Sequence, residues 1–250
     1  MKAMLFAAGK GTRLKPLTDR HPKCLVTAGN KTLLEHNILK LRAAGVDTLV
    51  INTHHFGDQV STFIDSNDFG MTIHISREEE LLETGGGLLH ASEHFLNEEA
   101  FIVCNSDIYS DIDLGALISQ HKQNQSLATL AVADRVTSRY LRFNEQDHLC
   151  GWENRKSGET ISWNHDTFKT KAFQGTQIIS PGLFDFMGDM GKIFSTIPVY
   201  MKAAQAGERI SAFPMDHSYW IDIGTVEKLE ALREHLHSSP GRDSNPDLVI

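Results

Sequence analysis

The feature that most constrains this fold is a regular alternation of strand-like and helix-like segments in the first half of the chain. Short apolar runs, rich in β-branched residues or containing cysteine, predict strands at 3–8, 48–53, 71–76, 101–105 and 127–133. Apolar residues three or four positions apart predict helices between them at 33–45, 59–64, 86–95 and 114–122. Strands joined by helical crossovers are typical of an α/β fold, here a doubly wound and mostly parallel sheet.

The pattern changes after about residue 136. Strands predicted at 140–144, 149–154 and 172–179 are separated by turns and indicate a small antiparallel annex. Helices at 183–187, 199–206 and 226–237 and a strand at 210–213 complete the prediction. We therefore expect one domain over residues 1–237. The tail 238–250, with two prolines, one glycine and few apolar residues, is predicted to be disordered.

Composition limits the possible partners. The chain has 250 residues and a net charge of -8, and so lacks the basic surface that a nucleic-acid partner needs. Its three cysteines are odd in number and share no C-x-x-C spacing, which favours a reducing compartment. No apolar run approaches the ~18 residues of a membrane span, and no secretory signal is recognisable. We expect a cytoplasmic protein without a membrane partner.

The stretch AAGKGTRLKPLTDRHPK, residues 7–23, follows the first predicted strand and fits neither common phosphate motif. Leu14 stands where G-x-G-x-x-G needs its third glycine, and Lys10 is followed by Gly11 rather than by Ser or Thr. A glycine-rich turn after a buried strand nevertheless brings backbone amides close to a ligand, often to a phosphate. The alternative is a glycine turn that carries basic residues on its surface.

We interpret this stretch as a polyphosphate-binding loop. The backbone around Gly9 and Gly11 would cradle the phosphates, with Thr12 and Arg13 reaching over them. Arginine suits phosphate because its planar fork donates two parallel hydrogen bonds. Lys23 would supply a point charge after a rigid proline.

Other polar segments also follow predicted strands. In open α/β sheets, ligands bind outside the carboxyl ends of the strands. This rule selects the loop after Ala8 and residues 52–55, 83–87 and 105–107. We expect these segments to meet at one site.

Several short motifs together resemble the signature of the sugar-1-phosphate nucleotidyltransferases. These are GKGTRL at 9–14, PLT at 16–18, PK at 22–23 and WIDIGT at 220–225, so the resemblance covers nearly all of the chain except the tail. It is greatest to the short, single-domain branch that includes the N-acetylmuramate 1-phosphate uridylyltransferases. The resemblance implies a Rossmann-like (GT-A-like) fold and the magnesium-dependent reaction of an NTP with a sugar 1-phosphate, giving an NDP-sugar and pyrophosphate.

The same resemblance implies the partners. UTP is the favoured nucleotide, and the sugar 1-phosphate is of the N-acetylmuramate or hexose type. A mannose-1-phosphate guanylyltransferase is the alternative within the family.

The resemblance also implies roles for individual residues. Arg13 and Lys23 would act in catalysis, while Asp107 and Asp222 would hold Mg²⁺. The predicted nucleotide-binding residues are Ala8, Gly9, Gly11, Thr12, Arg13, Lys23, Asn52, Glu83, Gly85 and Gly86. The predicted sugar-phosphate-binding residues are Asn105, Gln174 and Gly175.

Two features depart from the family pattern. Ser106 stands where a glycine is common before the first aspartate. The Glu-Lys-Pro sequence, whose lysine holds the sugar phosphate in longer members, is absent, which leaves Arg155, Lys169 and Lys171 as unranked candidates.

Three other interpretations remain in view. Asp111 and Asp113 form a literal Asp-x-Asp, which a glycosyltransferase of similar topology would use to bind a metal-bound nucleotide. A non-catalytic sensor of a nucleotide-sugar would need neither Asp107 nor Asp222. Residues 90–94 match the H-x-x-E-H pattern of some zinc proteases but lack an evident third ligand, so we expect no zinc site there.

Overall fold

The computed structural model describes residues 1–163 and 167–238. The strands are β1 (Lys2–Phe6), β2 (Thr27–Ala28), β3 (Lys31–Thr32), β4 (Thr48–Thr53), β5 (Thr72–Arg77), β6 (Phe101–Asn105), β7 (Ile108–Ser110), β8 (Ala128–Ala133), β9 (Arg139–Phe143), β10 (Leu149–Asn154), β11 (Glu159–Ser162), β12 (Lys169–Ile179), β13 (Ile210–Pro214) and β14 (Trp220–Asp222). The α-helices are α1 (Leu33–Ala43), α2 (Gly57–Asp65), α3 (Glu83–His90), α4 (Leu114–Asn124), α5 (Thr196–Gln205) and α6 (Val226–Ser238).

The central sheet confirms the predicted α/β fold. Its strands run in the order β11-β10-β9-β12-β6-β1-β4-β5, and β8 and β13 pair beyond β12. The pairs β1–β4, β1–β6, β4–β5 and β8–β13 are parallel. The long strand β12 is antiparallel to β6 and β8 and extends into the antiparallel annex of β9, β10 and β11. The predicted doubly wound sheet with an antiparallel annex is therefore present.

Helices cover both faces of the sheet because its strands carry apolar side chains on both sides. On one face, α1, α2 and α4 pack against alternate residues of β1, including Leu5. On the other face, α3 and α5 pack around Met4 and the fully buried Tyr200. Helix α1 begins at a capping box in which Thr32 and Glu35 satisfy each other's backbone N–H groups.

A third apolar cluster lies at the end of the chain and supports the glycine-rich loop. Leu14, the residue that broke the dinucleotide motif, is completely buried there with Ile223 and Leu229 of the last segment. Helix α6 also contributes Leu232 and Leu236. The leucine at this position anchors the loop to α6, which a glycine could not do.

The predicted boundaries differ from the structure in places. Helix α3 begins at Glu83 rather than at residue 86, and the helix predicted at 183–187 is a 3₁₀ segment, Pro181–Phe186. Strands β2, β3, β7, β11 and β14 were missed because two to four residues are too few to show a period. Apart from Ser238, which ends α6, the predicted tail lies outside the described residues.

The cysteines and the helices each bear on an expectation from the sequence. Cys24, Cys104 and Cys150 are free and buried. No helix within the described ranges combines the length and the apolar character needed to cross a membrane.

Candidate active site

Two adjoining cavities lie beyond the carboxyl ends of β1, β4 and β6. The first, of about 220 Å³, is lined by Phe6, Ala7, Ala8, Gly9, Lys23, Cys24, Asn52, Leu81, Glu83, Thr84, Asn105, Ser106 and Asp107. The second, of about 230 Å³, is lined by Gly9, Lys10, Gly11, Thr12, Arg13, Leu14, Lys23, Asp107 and Gly224. Gly9, Lys23 and Asp107 belong to both, so the cavities meet at these three residues.

The glycine-rich loop forms the wall of the second cavity. Within the described chain, the backbone N–H groups of residues 8–11 have no hydrogen-bond partner, so they are available to a ligand. Gly11 has a φ of 62°, and a Cβ there would lie 3.0 Å from the side chains of both Lys23 and Thr18. Thr18 Oγ1 also donates to the Gly11 carbonyl at 2.8 Å. Only glycine fits this turn without strain.

Lys23 and Asp107 form an ion pair where the two cavities meet. Lys23 Nζ lies 2.5 Å from Asp107 Oδ2, and the lysine side chain is only 12% exposed. Lys23 begins a short 3₁₀ turn directly after Pro22, which fixes its direction. Asp107 follows β6. The geometry therefore holds one cation and one carboxylate beside both cavities.

The ribbon formed by β7 and β14 brings Asp222 next to Asp107. Asp222 pairs with Ile108, and the Ile223 amide donates to the Asp107 carbonyl at 2.8 Å. The Asp222 carboxylate holds Lys228 Nζ of α6. Two residues after Asp222, Gly224 packs against the Arg13 guanidinium, where an added Cβ would lie 3.2 Å from Nη1. Asp107 stands one position before β7, so its backbone adjoins that of Asp222, but Asp222 lines neither of the two cavities.

The segment Glu83–Gly87 differs from the prediction in part. Glu83 lines the first cavity with a left-handed φ of 61°, which is costly for a residue with a side chain. Gly85 and Gly86 line neither cavity, and their backbone amides donate to the Phe194 carbonyl at 2.8 and 3.0 Å. An added Cβ at Gly85 would collide with Phe194, and one at Gly86 with the Lys192 carbonyl. These two glycines allow internal packing rather than the approach of a flat ligand.

A buried carboxylate links the two segments that line the first cavity. Glu78 accepts hydrogen bonds from Asn52 Nδ2 at 2.6 Å and from the Leu82 amide at 3.1 Å. Asn52 Oδ1 in turn accepts from the Ala7 amide at 2.8 Å. This network orients Asn52 and fixes the backbone just before Glu83. Glu78 could not be recognised from the sequence, because it begins an acidic run that resembles a solvated surface, although it directly follows β5.

We expect the variant Gly87→Ala to destabilise the fold by about 1–3 kcal/mol, the usual range for overpacking. Its Cβ would lie 2.6 Å from Glu78 Oε1 and 2.9 Å from Asn52 Nδ2, inside the network. Urea denaturation would measure the loss. Gly188→Ala is the matched control, because a Cβ there meets nothing within 4 Å. Equal stability of the two variants would contradict this explanation.

Gln174 and Gly175 lie at an irregularity of β12. The pairing of β12 with β8 shifts register between Phe173 and Gln177, and Gly175 has a φ of 74°. A Cβ at Gly175 would lie 2.8 Å from Asn105 Nδ2 and would also collide with Ile108. Asn105 lines the first cavity, whereas neither Gln174 nor Gly175 lines either cavity. Gln174 is buried, and its side-chain amide donates from Nε2 to the Ala172 carbonyl.

Comparison with known proteins identifies the family. The sequence model of the family "Nucleotidyl transferase" matches residues 2–143, more than half of the chain. The chain belongs to the nucleotidyl transferase family. It is 30% identical over 234 residues to an N-acetylmuramate alpha-1-phosphate uridylyltransferase of Neisseria meningitidis, covering 92% of this chain and 96% of the relative.

Longer relatives of this nucleotidyltransferase match as well. A UTP--glucose-1-phosphate uridylyltransferase of Synechocystis is 26% identical, and a mannose-1-phosphate guanyltransferase of Yarrowia lipolytica is 30% identical. Each match covers 90% of this chain but only 61% of the longer relative. The relatives are named as sugar-1-phosphate uridylyl- and guanylyltransferases, so this chain is a nucleotidyltransferase enzyme.

A solved structure agrees in fold. A UDP-glucose pyrophosphorylase in complex with UDP-glucose superposes with a TM-score of 0.75 at 16% identity, covering 95% of this chain and 98% of that one. At this identity the agreement concerns the fold alone.

The structure favours neither a metal-binding Asp-x-Asp nor a cysteine nucleophile. Asp113 caps α4 by accepting from the Ala116 amide, and Asp111 accepts from the Tyr219 amide. Neither lines the two cavities, so the Asp-x-Asp of a glycosyltransferase is used here for structure. Cys24 does line the first cavity, but burial raises the pKa of its thiol to about 12, which makes it a poor nucleophile.

The residues at the ribbon suit Mg²⁺ by their chemistry. Among the described residues, no group of three or more His, Cys, Asp or Glu side chains could enclose a metal ion. Magnesium commonly uses one or two carboxylates and takes its other ligands from water and substrate phosphates. Asp107 and Asp222 provide two carboxylates, each of which already holds a lysine ammonium, so a cation is accommodated at both. The donor chemistry of the two carboxylates therefore suits magnesium, while Asp107 alone of the two lines the cavities described above.

Proposed function

We propose that this nucleotidyltransferase is a uridylyltransferase that joins UTP to a sugar 1-phosphate of the N-acetylmuramate or hexose type, releasing pyrophosphate. The observation that carries the proposal is the pair of cavities that share Lys23 and Asp107. The first is lined by both apolar and polar residues and suits a nucleoside. The second, with unpartnered amides, Lys10 and Arg13, suits the phosphates. The similarity to the Neisseria uridylyltransferase extends over almost the whole of both chains, which supports an N-acetylmuramate-type sugar 1-phosphate as the second substrate.

Positioning and charge stabilisation are sufficient for this reaction. An oxygen of the sugar phosphate forms a bond to the α-phosphorus, the bond from the α-phosphorus to the bridging oxygen breaks, and pyrophosphate leaves with the electron pair. The loop amides and Arg13 stabilise the charge that develops on pyrophosphate, and Lys23 stabilises the transferring group. No covalent intermediate on the protein is required.

Asp107 and Asp222 would hold Mg²⁺ in this proposal. When bound there, the ion would neutralise part of the charge on the triphosphate. Lys23 and Lys228, which hold these two carboxylates, would lose their ion pairs in such a complex, and Lys23 would then face the phosphates across the shared wall of the cavities.

The base preference rests on the first cavity. Uracil presents two carbonyl acceptors and one imide donor. The unpartnered amides of Ala8 and Gly9 can serve a carbonyl, and the Glu83 carboxylate can accept from the imide. The amides of Gly85 and Gly86 are not available for this purpose, since Phe194 occupies them.

We expect kcat/KM for UTP to exceed that for CTP by about 10- to 100-fold, the cost of leaving one buried polar group unpaired. Cytosine replaces the imide donor by an acceptor and one carbonyl by an amino group. The measurement compares UTP, CTP and GTP at a fixed concentration of sugar phosphate. A preference for CTP would contradict the assignment, and a preference for GTP would favour the mannose-1-phosphate guanylyltransferase alternative.

The proposed function is tested by measuring the release of pyrophosphate. The four NTPs are combined with N-acetylmuramate α-1-phosphate, glucose 1-phosphate and mannose 1-phosphate. Pyrophosphate should form only when both substrates and Mg²⁺ are present. Turnover of a preformed UDP-sugar with a sugar acceptor, without pyrophosphate release, would instead indicate a glycosyltransferase.

Three buried thiols and a nucleotide substrate agree with a cytoplasmic location.

A further inference from the structure

A third cavity, of about 450 Å³, is separate from the two cavities of the active site. Its walls are the end of β4, the first turn of α2 and the end of β5, represented by Thr53, Gly57 and Arg77. No residue that lines it also lines either of the other two cavities. The third cavity is larger than either of them, and the proposed function does not use it.

A buried hydroxyl without a partner belongs to this cavity. Thr53 lines the cavity and is 2% exposed. Among the described residues, Thr53 Oγ1 is the only buried side-chain nitrogen or oxygen that lacks a hydrogen-bond partner. It lies against Gly57, where an added Cβ would be 2.9 Å from Oγ1. Burying an unpaired hydroxyl is unfavourable, and a ligand that pairs with it would remove this cost.

The first turn of α2 offers two further donors beside the Thr53 hydroxyl. The N-cap of this nine-residue helix, Phe56, supplies no side-chain hydrogen bond to the turn. Within the part of the chain that the structure describes, the backbone N–H groups of Gly57 and Asp58 have no hydrogen-bond partner. Unpaired N–H groups and the helix dipole both favour an anion at this end of a helix.

Arg77 places a positive charge at the same cavity. Its Nη1 donates to Asp58 Oδ1 at 2.6 Å, and its Nη2 donates to Ser61 Oγ at 3.2 Å. The side chains of Arg77 and Asp58 are 61% and 87% exposed. An ion pair this exposed is weak, so an anionic ligand can replace the Asp58 carboxylate on the guanidinium.

Two other carboxylates at the cavity leave room for an anion. The Glu78 carboxylate is occupied by Asn52 Nδ2 and by the Leu82 amide, at 2.6 and 3.1 Å. Glu79 is exposed, so solvent screens its charge.

The remaining wall of the cavity suits a ring. Phe56 and His54 line it, and both are half-buried. Aromatic side chains of this kind pack against the faces of sugars and bases. We propose that the third cavity binds a phosphate monoester of a sugar or a nucleoside. The phosphate lies at the first turn of α2 and Arg77, and the ring lies beside Phe56 and His54. This inference does not depend on the proposed function.

Hydrogen bonds connect the third cavity to the supports of the active site. His54 Nδ1 donates to the Glu78 carbonyl at 3.0 Å, and the carboxylate of Glu78 orients Asn52. Gln59, on the first turn of α2, donates from Nε2 to the Arg20 carbonyl of the glycine-rich stretch at 2.8 Å. A ligand held by this turn is thus connected to residues that support both cavities of the active site.

The test follows backbone amide signals by ¹H–¹⁵N NMR in the wild-type protein without nucleotide. Inorganic phosphate, glucose 6-phosphate and UMP are added in separate titrations. We expect the signals of Gly57 and Asp58 to shift and saturate with an ester at lower concentration than with inorganic phosphate, because the ester also carries a ring. The ester that saturates first identifies the ring as that of a sugar or of a nucleoside.

Three variants make the test specific. Arg77→Gln should weaken binding of the ester about 10- to 100-fold, the loss expected for a charged hydrogen-bonding partner. Thr53→Val keeps the shape of the side chain and should weaken binding about 2- to 10-fold without lowering Tm, because it also removes an unpaired hydroxyl. Arg139→Gln is the matched control, since Arg139 is exposed and lines none of the three cavities.

The outcomes are decided without turnover, so they do not depend on the pyrophosphate assay. Signals of Gly57 and Asp58 that fail to shift or to saturate would overturn the inference, as would equal affinity of Arg77→Gln and the wild type. Shifts confined to the glycine-rich loop would show that phosphate binds at the active site alone. Concurrent shifts of the side-chain amide signals of Asn52 and Gln59 would support the connection between the cavities, and unchanged signals would show that it is wrong.

Discussion

The variants Arg13→Ala and Lys23→Ala should each lower kcat/KM by about 10²- to 10³-fold, the usual loss of one donor that acts on charge in the transition state. Arg13 lines the second cavity, and Lys23 lies where both cavities meet. Arg13 is exposed and contacts Gly224 rather than the core, so its loss should leave the fold intact. Pyrophosphate release and thermal denaturation would be measured on the same preparations.

Lys15→Ala is the control for both variants. Lys15 belongs to the same basic segment, but it pairs with Asp19 at 3.1 Å and lines neither cavity. An exposed pair of this kind contributes at most about 1 kcal/mol to stability. Turnover of Lys15→Ala should equal that of the wild type. Near-normal turnover of either Arg13→Ala or Lys23→Ala would show that its assigned role is wrong.

Asp107→Asn and Asp222→Asn should each lower turnover by about 10³-fold or more, because a bound metal contributes several kcal/mol of charge stabilisation. An amide keeps the shape of the carboxylate but loses its charge. Both variants should also bind Mn²⁺ more weakly in the presence of UTP, which electron paramagnetic resonance can measure without turnover. The two aspartates are 115 positions apart (222 − 107), yet Asp222 pairs with Ile108, the residue that follows Asp107.

Asp113→Asn distinguishes this interpretation from that of a glycosyltransferase. Asp113 belongs to the literal Asp-x-Asp, but its carboxylate caps α4 at 2.9 Å from the Ala116 amide. Replacing it should cost no more than about 1 kcal/mol of stability, the typical value of an N-cap, and should leave Mn²⁺ binding unchanged. Loss of metal binding in Asp113→Asn, with full binding in Asp107→Asn, would reverse the assignment.

Local sequence patterns were sufficient for most of the fold. The alternation of strands and helices predicted the sheet because each element has its own apolar period. The glycine-rich loop and Lys23 were recognisable because a turn after a buried strand needs glycine and because nothing in packing requires its basic residues. The short strand β14 was not recognisable, since its three residues show no period.

The surroundings of other residues could not be predicted, because identical residue types serve different purposes. Gly85 and Gly86 were predicted to approach a ligand, but in the structure their backbone amides donate hydrogen bonds to the Phe194 carbonyl. Phe194 is 108 positions further along the chain (194 − 86), so no local pattern could relate it to the glycines. Glu78 carries no local signal of its role, since its 6% exposure and its hydrogen bond with Asn52 depend on the fold.

The sequence by itself determined the α/β architecture, the family and the loop that suits phosphates, because these depend on periodicity and on short contiguous motifs. Only the tertiary structure decided which charges are free. Lys169, Lys171 and Arg155 were equal candidates until their partners Asp147, Asp134 and Glu153 came into place. Ion pairing depends on distances across the fold, and a linear sequence does not contain them.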